Sequence, residues 1–549
     1  MPELILGPML RHVGAHDATI WVETDAPCEV VVLGARERTF TVEGHHYGLV
    51  CVEGLESGTA TPYEVELDGR RVWPEEGSPF PPSLVRTIGN DHRLEILFGS
   101  CRVAAPHEPP YTLSADDDER GREVDALWAL TRRMVRRPPE EWPHAVLMIG
   151  DQVYADEVSP KALARIRATR DTSMPPAEEI ANFEEYTWLY RESWSEPTMR
   201  WFLANVSSAM LFDDHDVHDD WNISEHWCER MRQKPWWEDR IVGAFVSYWL
   251  YQHLGNLSPA ELASDELYAA VRQADDARPI LRDFALRSDR EAAGTRWSFC
   301  RDYGGTRILG IDCRAGRVVT ADARRMVEDH EWRWLVERTS GDFDHLLLAM
   351  SDPFLLARGV HEFQAWNEAV CDGAWGSLAA RWGERVREAV DLDHWASFEN
   401  SFRDLAELVR AVAVGERGEA PGSVVALSGD VHNAYLAEVA FPRGTGATSR
   451  VWQAVCSPYR NPLSAKERRA QRFGKSKLGE IVGRTLARAA RVAPPPLDWR
   501  IVEGLYFRNQ VGTLELDGRE ATIRLESVGS WDGRGEPPEL EPEFEHRLA

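Results

Sequence analysis

The segment AVLMIGD, residues 145–151, joins five apolar residues to a glycine and an aspartate. Such a run is typical of a buried β-strand that ends in a polar turn. Five other segments share this design: LEILFGS (94–100), SAMLFDD (208–214), TRILGID (306–312), HLLLAMS (345–351) and SVVALSGD (423–430). Helical patterns fill the intervals at 121–137, 160–205, 227–254, 258–286, 321–339 and 376–415. Buried strands that alternate with helices predict a layered α/β domain.

The first part of the chain, residues 1–88, has a different pattern of short alternating strands. Their close spacing, with a hairpin turn at Asp68-Gly69, predicts a small all-β sandwich of the fibronectin III-like kind. A stretch rich in proline and acid at 74–82 predicts a linker to the α/β domain. We expect the remaining boundaries as follows: catalytic domain 89–530, helical insertions at about 157–205, 222–295 and 355–420, and an acidic, Pro-containing tail at 531–549.

Composition excludes several classes of protein. The chain has 549 residues, 63 Lys and Arg against 90 Asp and Glu, and a net charge of −27. A surface this acidic repels a phosphate backbone, so we expect no nucleic-acid binding. The eight cysteines are scattered without a C-x-x-C pair, and neither a signal peptide nor an apolar run of about 18 residues is visible. These features predict a cytoplasmic protein; oligomeric state has no signal in the sequence.

Polar clusters follow four of the predicted strands, and they carry the candidate chemistry. The clusters are Cys101-Arg102, Asp151 with Tyr154, the acid-rich run Asp213–Asn222, and Asp430 with His432. Strand ends of this kind meet at the ligand-binding edge of an α/β sheet. Buried carboxylates need compensation, and a cation is the natural choice for so many acids. Carboxylates suit hard ions, whereas imidazole and thiolate suit transition metals. The mixed set therefore predicts a site for at least two metal ions.

These motifs resemble a known family. Gly150-Asp151-Gln152-Val153-Tyr154, Asp213-Asp214-His215-Asp216 and Ser428-Gly429-Asp430-Val431-His432 are similar, in the same order, to motifs of the alkaline phosphatase D (PhoD-like) metallophosphatases. That family is related to the purple acid and calcineurin-like phosphoesterases. The resemblance covers about residues 92–530. It implies a layered metallophosphoesterase β-sandwich flanked by helices, preceded by the small all-β domain.

The resemblance also implies a role for each matching residue. Metal ligands would be Cys101, Asp151, Tyr154, Asp213, Asp214, Asp430 and His432. Cys101, Tyr154 and Asp430 would hold a ferric ion (Fe3+), Asp151 would bridge two ions, and Asp213 and Asp214 would hold a divalent ion: Ca2+, Mn2+ or Mg2+. His215 would contact phosphate or protonate the leaving group, and Arg314 and Arg102 are candidate phosphate ligands. Each arginine has an alternative: Arg102 could form an ion pair with the acid-rich run Asp213–Asn222, and Arg314 could pair with an acid.

The implied activity is hydrolysis of a small phosphoric ester by a metal-activated hydroxide. The sequence does not separate phosphomonoesters from phosphodiesters. Two alternatives remain open: a non-catalytic, phosphatase-like binding module, and a phosphodiesterase that works at a lipid surface. The second rests on residues 465–491, which have nine Lys and Arg and two Glu. There Leu478, Ile481, Val482, Leu486 and Ala489 fall at helical spacing, so this face either packs on the domain or contacts a membrane.

Overall fold

The computed structural model describes residues 1–89, 93–320 and 323–549. Its N-terminal strands are β1 Leu4–Val13, β2 Asp17–Thr24, β3 Glu29–Val32, β4 Ala35–Arg38, β5 Phe40–Val42, β6 His45–Glu53, β7 Ala60–Pro62, β8 Val65–Leu67, β9 Arg70–Trp73 and β10 Leu84–Arg86. They form sheets in the orders β1-β2-β6-β5 and β4-β3-β8-β9, and β7 pairs with β10. Apolar residues from both sheets, such as Ile20, Val30, Val50 and Val65, share one core. This region is therefore the all-β unit that the sequence predicts.

Two larger sheets carry the rest of the chain. Their strands are β11 Arg93–Gly99, β12 Ala145–Ile149, β13 Ser207–Leu211, β14 Phe299–Tyr303, β15 Thr306–Ile311, β18 His345–Met350, β19 Ser423–Ser428, β20 Ala434–Ala440, β21 Arg450–Val455, β22 Asp498–Tyr506, β23 Asn509–Asp517, β24 Glu520–Val528 and β25 Glu541–Arg547; β16 Val318–Thr320 and β17 Ala323–Arg325 form a separate pair. The sheet orders are β13-β12-β11-β23-β24-β25 and β14-β15-β18-β19-β21-β20-β22. All six apolar runs of the sequence are strands of these sheets.

The two sheets pack face to face. Ile96 and Leu147 of the six-stranded sheet share a buried core with Leu347, Val425 and Leu427 of the seven-stranded sheet. The strands β11, β12 and β13 are parallel to one another, as are β15, β18, β19 and β21. Parallel neighbours end at the same edge, so the turns that follow these strands collect at one end of the stacked sheets.

Helices cover the sheets and form the insertions. They are α1 Ala126–Met134, α2 Pro160–Thr169, α3 Phe183–Trp194, α4 Pro197–Asn205, α5 Glu225–Arg232, α6 Trp237–Ser247, α7 Pro259–Ser264, α8 Glu266–Gln273, α9 Arg278–Arg290, α10 Asp329–Arg338, α11 Arg358–Cys371, α12 Ser377–Ala389, α13 Glu399–Ala413, α14 Ala465–Lys475 and α15 Lys477–Ala489. Among the described residues, no helix is both long enough and apolar enough to cross a bilayer. The layered α/β fold with an all-β N-terminal region is confirmed.

Three segments differ from the sequence-based expectation. The helix expected at 321–339 begins only at Asp329, because 323–325 pairs in β17; residues 321 and 322 lie outside the described part. The segment 465–491 is two helices, since the Ser476 side chain accepts from Gly479 N and caps a new helix there. The segment 531–549, expected as a tail, carries β25, which pairs with β24 at the sheet edge.

The N-terminal sandwich is attached to the helices that follow it by polar contacts, some of them buried. Arg11 donates to the carbonyl oxygens of Tyr251 at 2.6 Å and Gln252 at 2.7 Å. His45 Nε2 lies 2.7 Å from Glu184 of α3, and its Nδ1 lies 3.3 Å from the buried Glu23. The carboxylates of Glu184 and Glu23 outweigh burial, which by itself lowers a histidine pKa, and they raise the pKa of His45 to about 9.

Candidate metal centre

Four strand ends bring the predicted ligands together. Cys101 follows β11, Asp151 follows β12, and Asp213 and Asp214 follow β13, on three adjacent strands of the six-stranded sheet. Asp430 follows β19 of the facing sheet, and the peptide N–H of Asp430 donates to Ser100 Oγ at 2.9 Å. This hydrogen bond joins the two sheets at the site. The side chains of all five residues are mostly or fully buried.

The backbone at these positions is held in a rarely used conformation. The φ angles are 56° at Cys101, 51° at Asp151, 62° at Asp430 and 48° at His432. A non-glycine residue in this left-handed region costs about 1–3 kcal/mol, and such residues cluster at functional sites. Here the conformation is fixed by neighbours, since the N–H of Cys101 donates to the carbonyl of Gly150 at 3.3 Å. The strained turns therefore belong to the candidate ligands themselves.

The first candidate ligand group combines sulfur, phenol, carboxylate and imidazole. Cys101 Sγ lies 3.3 Å from Asp151 Oδ2, and the Tyr154 hydroxyl lies 3.5 Å from the same oxygen. A ligand atom of His432 lies within 4.8 Å of those of Cys101 and Asp151. Burial, reinforced by the neighbouring acids, raises the pKa of Cys101 to about 12 and that of Tyr154 well above its ordinary value. Burial lowers the pKa of His432 to about 4, so its imidazole is neutral and able to coordinate.

The second group is a triad of carboxylates, Asp151, Asp213 and Asp214, whose oxygens lie within 4.8 Å of one another. Burial and mutual repulsion raise the pKa values of Asp151 and Asp213 well above the ordinary value. Asp151 Oδ1 and Asp213 Oδ2 are buried and accept no hydrogen bond from the described residues. Orphaned buried carboxylate oxygens are costly unless a cation binds them. The donor set therefore fits a metal centre.

Arg314 lies at the middle of the acids. Its guanidinium contacts Asp213 at 2.5 Å, Asp352 at 3.2 Å, Asp430 at 3.4 Å and Asp214 at 3.5 Å, and it also pairs with Asp393. The side chain is fully buried, which by itself lowers its pKa, but the charges of Asp214, Asp352, Asp393 and Asp213 outweigh burial and raise the pKa further. The sequence left two roles open for Arg314, phosphate ligand or partner of an acid. In the structure, Arg314 forms ion pairs with acids.

Three residues of this site were missed as ligands from sequence: Asp352, Asp393 and His394. Asp352, His394 and Asp430 form a further group whose ligand atoms lie within 4.8 Å. His394 Nε2 lies 3.0 Å from Asp430 Oδ2, and Asp352 Oδ2 accepts from Arg317 at 2.5 Å. Asp352 follows β18 and therefore carried a strand-end signal. Asp393 and His394 lie between α12 and α13, where only the tertiary fold brings them to the site.

The structure also brings His215 to this edge. Its Nδ1 lies 3.0 Å from Asp156, and its ring centroid lies 4.7 Å from that of Tyr154, with the rings tilted by 32°. Asp156 also accepts from the backbone N–H of Asp219 at 2.6 Å. Burial alone would lower the pKa of His215, but the charge of Asp156 overrides it and raises the pKa well above the ordinary value. Asp156 thus stabilises the protonated form of His215 at the edge of the acidic cluster.

Comparisons with known proteins agree with this geometry. A family model described as "PhoD-like phosphatase" matches residues 125–492, which is more than half of the chain. The chain belongs to the PhoD-like phosphatase family. A model described as "Domain of unknown function (DUF7800)" matches residues 1–85, the all-β region. No curated protein matches the sequence at a significant level.

Solved structures give the same fold. The structure entitled "Structure of PhoD" is similar with a TM-score of 0.60 and 11% sequence identity, over 99% of this chain and 90% of that chain. A maltogenic amylase structure from S. marinus aligns with a TM-score of only 0.17 and 9% identity, over 95% of this chain and 76% of that one. A score this low indicates no common fold. Membership of the PhoD-like phosphatase family indicates a metal-dependent phosphoric ester hydrolase.

One predicted residue of this PhoD-like site is engaged elsewhere. The Arg102 side chain donates from Nε to Asp125 at 2.8 Å and from one terminal nitrogen to the Ser193 carbonyl at 2.8 Å. The sequence suggested the acid-rich run after β13 as an alternative partner, but the structure pairs Arg102 with Asp125 instead. Asp125 is the N-terminal cap of α1 and accepts from the N–H groups of Leu127 and Trp128. Arg102 therefore joins the site to α1, with its guanidinium occupied by protein groups.

A cleft of about 550 Å3 lies near the site. Its wall includes Pro462 and Leu463, directly after Asn461, whose side chain donates to the Tyr154 hydroxyl at 3.3 Å. Arg468 and Arg472 of α14 and the ring of Phe507 also line it. Four acids, Asp116, Glu123, Glu541 and Glu543, complete the wall, so the cleft offers groups of both charges beside an aromatic ring.

Proposed function

We propose that this chain hydrolyses small phosphoric esters, of the alkaline phosphatase D type, at the metal centre between its two sheets. The observation that carries the proposal is the convergence of Cys101, Asp151, Tyr154 and Asp430 with two further acids, Asp213 and Asp214. The orphaned oxygens of Asp151 and Asp213 support it, because a bound cation would compensate two carboxylates that are buried side by side.

The donor types support a division of the ions. Thiolate and phenolate favour a ferric ion, which Cys101, Tyr154, Asp430 and Asp151 would hold. Carboxylates favour a divalent ion, Ca2+, Mn2+ or Mg2+, which Asp213, Asp214 and Asp151 would hold, with His432 as a further ligand. When bound, such ions supply acidity to a coordinated water and polarise the phosphoryl oxygens.

Residues of the chain itself orient the site and move a proton. Arg314 binds Oδ1 of Asp213 and leaves its buried Oδ2 without a partner, and His394 binds Oδ2 of Asp430. Asp156 binds Nδ1 of His215 and favours its protonated form, which leaves Nε2 as the donor. We assign to His215 the proton that passes to the leaving-group oxygen as the P–O bond breaks. Arg102 acts as a structural ion pair in this scheme.

A phosphodiester substrate is the second candidate. The cleft next to Asn461 supports it, since Arg472, which pairs with none of the described acids, and the ring of Phe507 would contact the second substituent of a diester. The eight cysteines form no disulfide, which suits the reducing cytoplasm as the proposed location.

The experiment pairs elemental analysis with hydrolysis of p-nitrophenyl phosphate and of bis(p-nitrophenyl) phosphate. We expect iron and a divalent ion in the wild type, and loss of both ions and turnover in Asp151→Asn. Asp171→Asn is the matched control, because Asp171 is a fully exposed acid away from the site. It should retain both metal and activity.

The ratio of the two rates ranks monoester against diester. A wild-type protein that binds iron and a divalent ion yet hydrolyses neither ester would contradict the proposal and favour the non-catalytic binding module. A protein that binds no metal after reconstitution would contradict the metal centre itself.

A further inference from the structure

The helices α14 and α15 expose several large apolar side chains, whereas a helix that only packs on its domain buries such side chains. Gly479, Gly483 and Ala487 of α15 are buried, whereas Leu478, Ile481 and Val482 face solvent. A Cβ placed on Gly483 would lie 2.6 Å from the carbonyl oxygen of Gly359 in α11. The close backbone contact therefore requires this orientation, since small residues let helices approach. The large apolar side chains point outward because the small ones are needed inside.

A second helix adds to the same surface. Trp375 just before α12 and Leu378 and Trp382 in it are exposed, and both tryptophans pack against the buried Trp366 of α11, one tilted and one edge-on. Trp375 Nε1 also donates to the carbonyl of Ala489 in α15 at 3.2 Å. We call this surface the α12–α15 face: Trp375, Leu378, Trp382, Phe473, Leu478, Ile481 and Val482, which are 44–75% exposed except Val482 at 42%.

Exposed apolar side chains are concentrated there. Of the eleven large apolar residues that are exposed in the described part of the chain, seven belong to the α12–α15 face. An apolar patch of this kind on a protein marks an interaction surface rather than chance exposure. Tryptophan in particular favours the boundary between membrane and water.

The charge of the surroundings identifies the partner. Residues 465–491 have nine Lys and Arg against two Glu, in a chain whose net charge is −27. Lys466, Arg469, Arg472, Lys477 and Arg488 form no ion pair with the described residues. A cluster of unpaired cations around apolar side chains on an amphipathic helix is the pattern that binds anionic lipid headgroups. The rest of the molecule is acidic and would be repelled by an anionic bilayer, so the molecule would turn these helices toward the bilayer.

We propose that the α12–α15 face docks on an anionic lipid bilayer. Leu478, Ile481 and Phe473 enter the headgroup region, and the cations beside them contact lipid phosphates. Docking also places the metal centre beside the membrane, because Gln471 of α14 donates to the Val431 carbonyl at 3.1 Å, next to Asp430 and His432. Delivery of a lipid-borne phosphoester to the site rests on the proposed function; docking itself does not.

The test is co-sedimentation of the full-length, metal-loaded protein with vesicles of phosphatidylcholine, alone or with about one third phosphatidylglycerol. We expect binding to the anionic vesicles only, weakened by salt. Ile481→Asp should weaken binding about tenfold or more, because it removes apolar contact and adds repulsion. The matched control is Met174→Asp, since Met174 and Ile481 are both 63% exposed. It should bind like the wild type.

The outcomes separate docking from hydrolysis. Turnover of soluble p-nitrophenyl phosphate reports that Ile481→Asp is folded, and we expect it to be unchanged. Vesicle binding without any turnover would retain the docking surface and overturn only the proposed function. No binding to anionic vesicles, or equal losses in Ile481→Asp and Met174→Asp, would overturn the docking proposal. A dimer would overturn it too, if sedimentation velocity shows that Ile481→Asp dissociates the dimer and the wild type does not bind vesicles. In that case a second copy of the chain covers the face.

Discussion

Arg102 and Arg314 are both buried arginines at the ends of strands, yet their surroundings differ in charge balance. Arg102 pairs with one acid, Asp125, whose other oxygen caps α1. Arg314 meets five acids, and Arg317 and His394 are the nearest further cations. The first cluster has no excess negative charge, since the buried Arg460 also interacts with Asp125, and its carboxylate is satisfied; the second retains excess negative charge and orphaned oxygens. Charge balance therefore distinguishes a structural ion pair from a site that is completed by a bound cation.

The largest expected effect is at the excess acids. Asp151→Asn removes a ligand common to both candidate groups, and we expect phosphoesterase activity to fall about 1,000-fold or more, since outer partners of metal ligands alone are worth 10–100-fold. The free energy of unfolding of the metal-free protein should not fall, because burial already raises the pKa of Asp151 and favours its neutral form. Turnover and urea unfolding in chelator measure the two effects. A large loss of metal-free stability would contradict the charge-balance argument.

The Arg102 cluster should respond in the opposite way. Asp125→Ala leaves Arg102 buried without its acid and removes the α1 cap, which should cost about 3–5 kcal/mol of unfolding free energy. Asp125→Asn retains a capping oxygen and should cost less. Urea denaturation measures both. The fraction of protein that remains folded should retain its metal content per mole; coupled loss of metal would show that Arg102 belongs functionally to the site.

Removal of metal is expected to have a smaller effect on stability. An ion that binds only the folded chain, at 100 times its dissociation constant, contributes about 2.7 kcal/mol. Prolonged chelation should therefore lower the melting temperature of the wild type and leave that of Asp151→Asn almost unchanged. Scanning calorimetry with and without chelator makes the comparison. Equal shifts in both proteins would mean that the ions stabilise a site other than this one.

The smallest expected effect concerns His45, a partly buried charge at the junction of the sandwich and α3. Its pKa is raised from 6.5 to about 9 by Glu184 and Glu23, against the opposing effect of burial. The stabilisation by protonated His45 is therefore complete below pH 6.5 and is lost as the pH rises through about 9. We expect about 1 kcal/mol over this range. His45→Gln should flatten this part of the profile measured by urea unfolding between pH 6 and 10; an unchanged slope would refute the assignment.

The sequence by itself determined the sheets and most of the site. Apolar runs such as Ala145–Ile149 have only one environment in which all their residues are buried, the interior of a layered sheet, so they predict strands reliably. The residues after those runs then had to meet at one edge, so strand order alone brings Cys101, Asp151, Asp213 and Asp430 together.

Tertiary structure decided the rest. Asp393 and His394 reach the site from a helical insertion, and no local pattern marks a contact between residues so distant in sequence. Arg102 and Arg314 looked alike as strand-end arginines, and only the fold showed that one meets a single acid and the other five. The outward direction of Ile481 was likewise hidden, because helical spacing gives the width of an apolar face, whereas the close approach of Gly483 to Gly359 decides which face is buried.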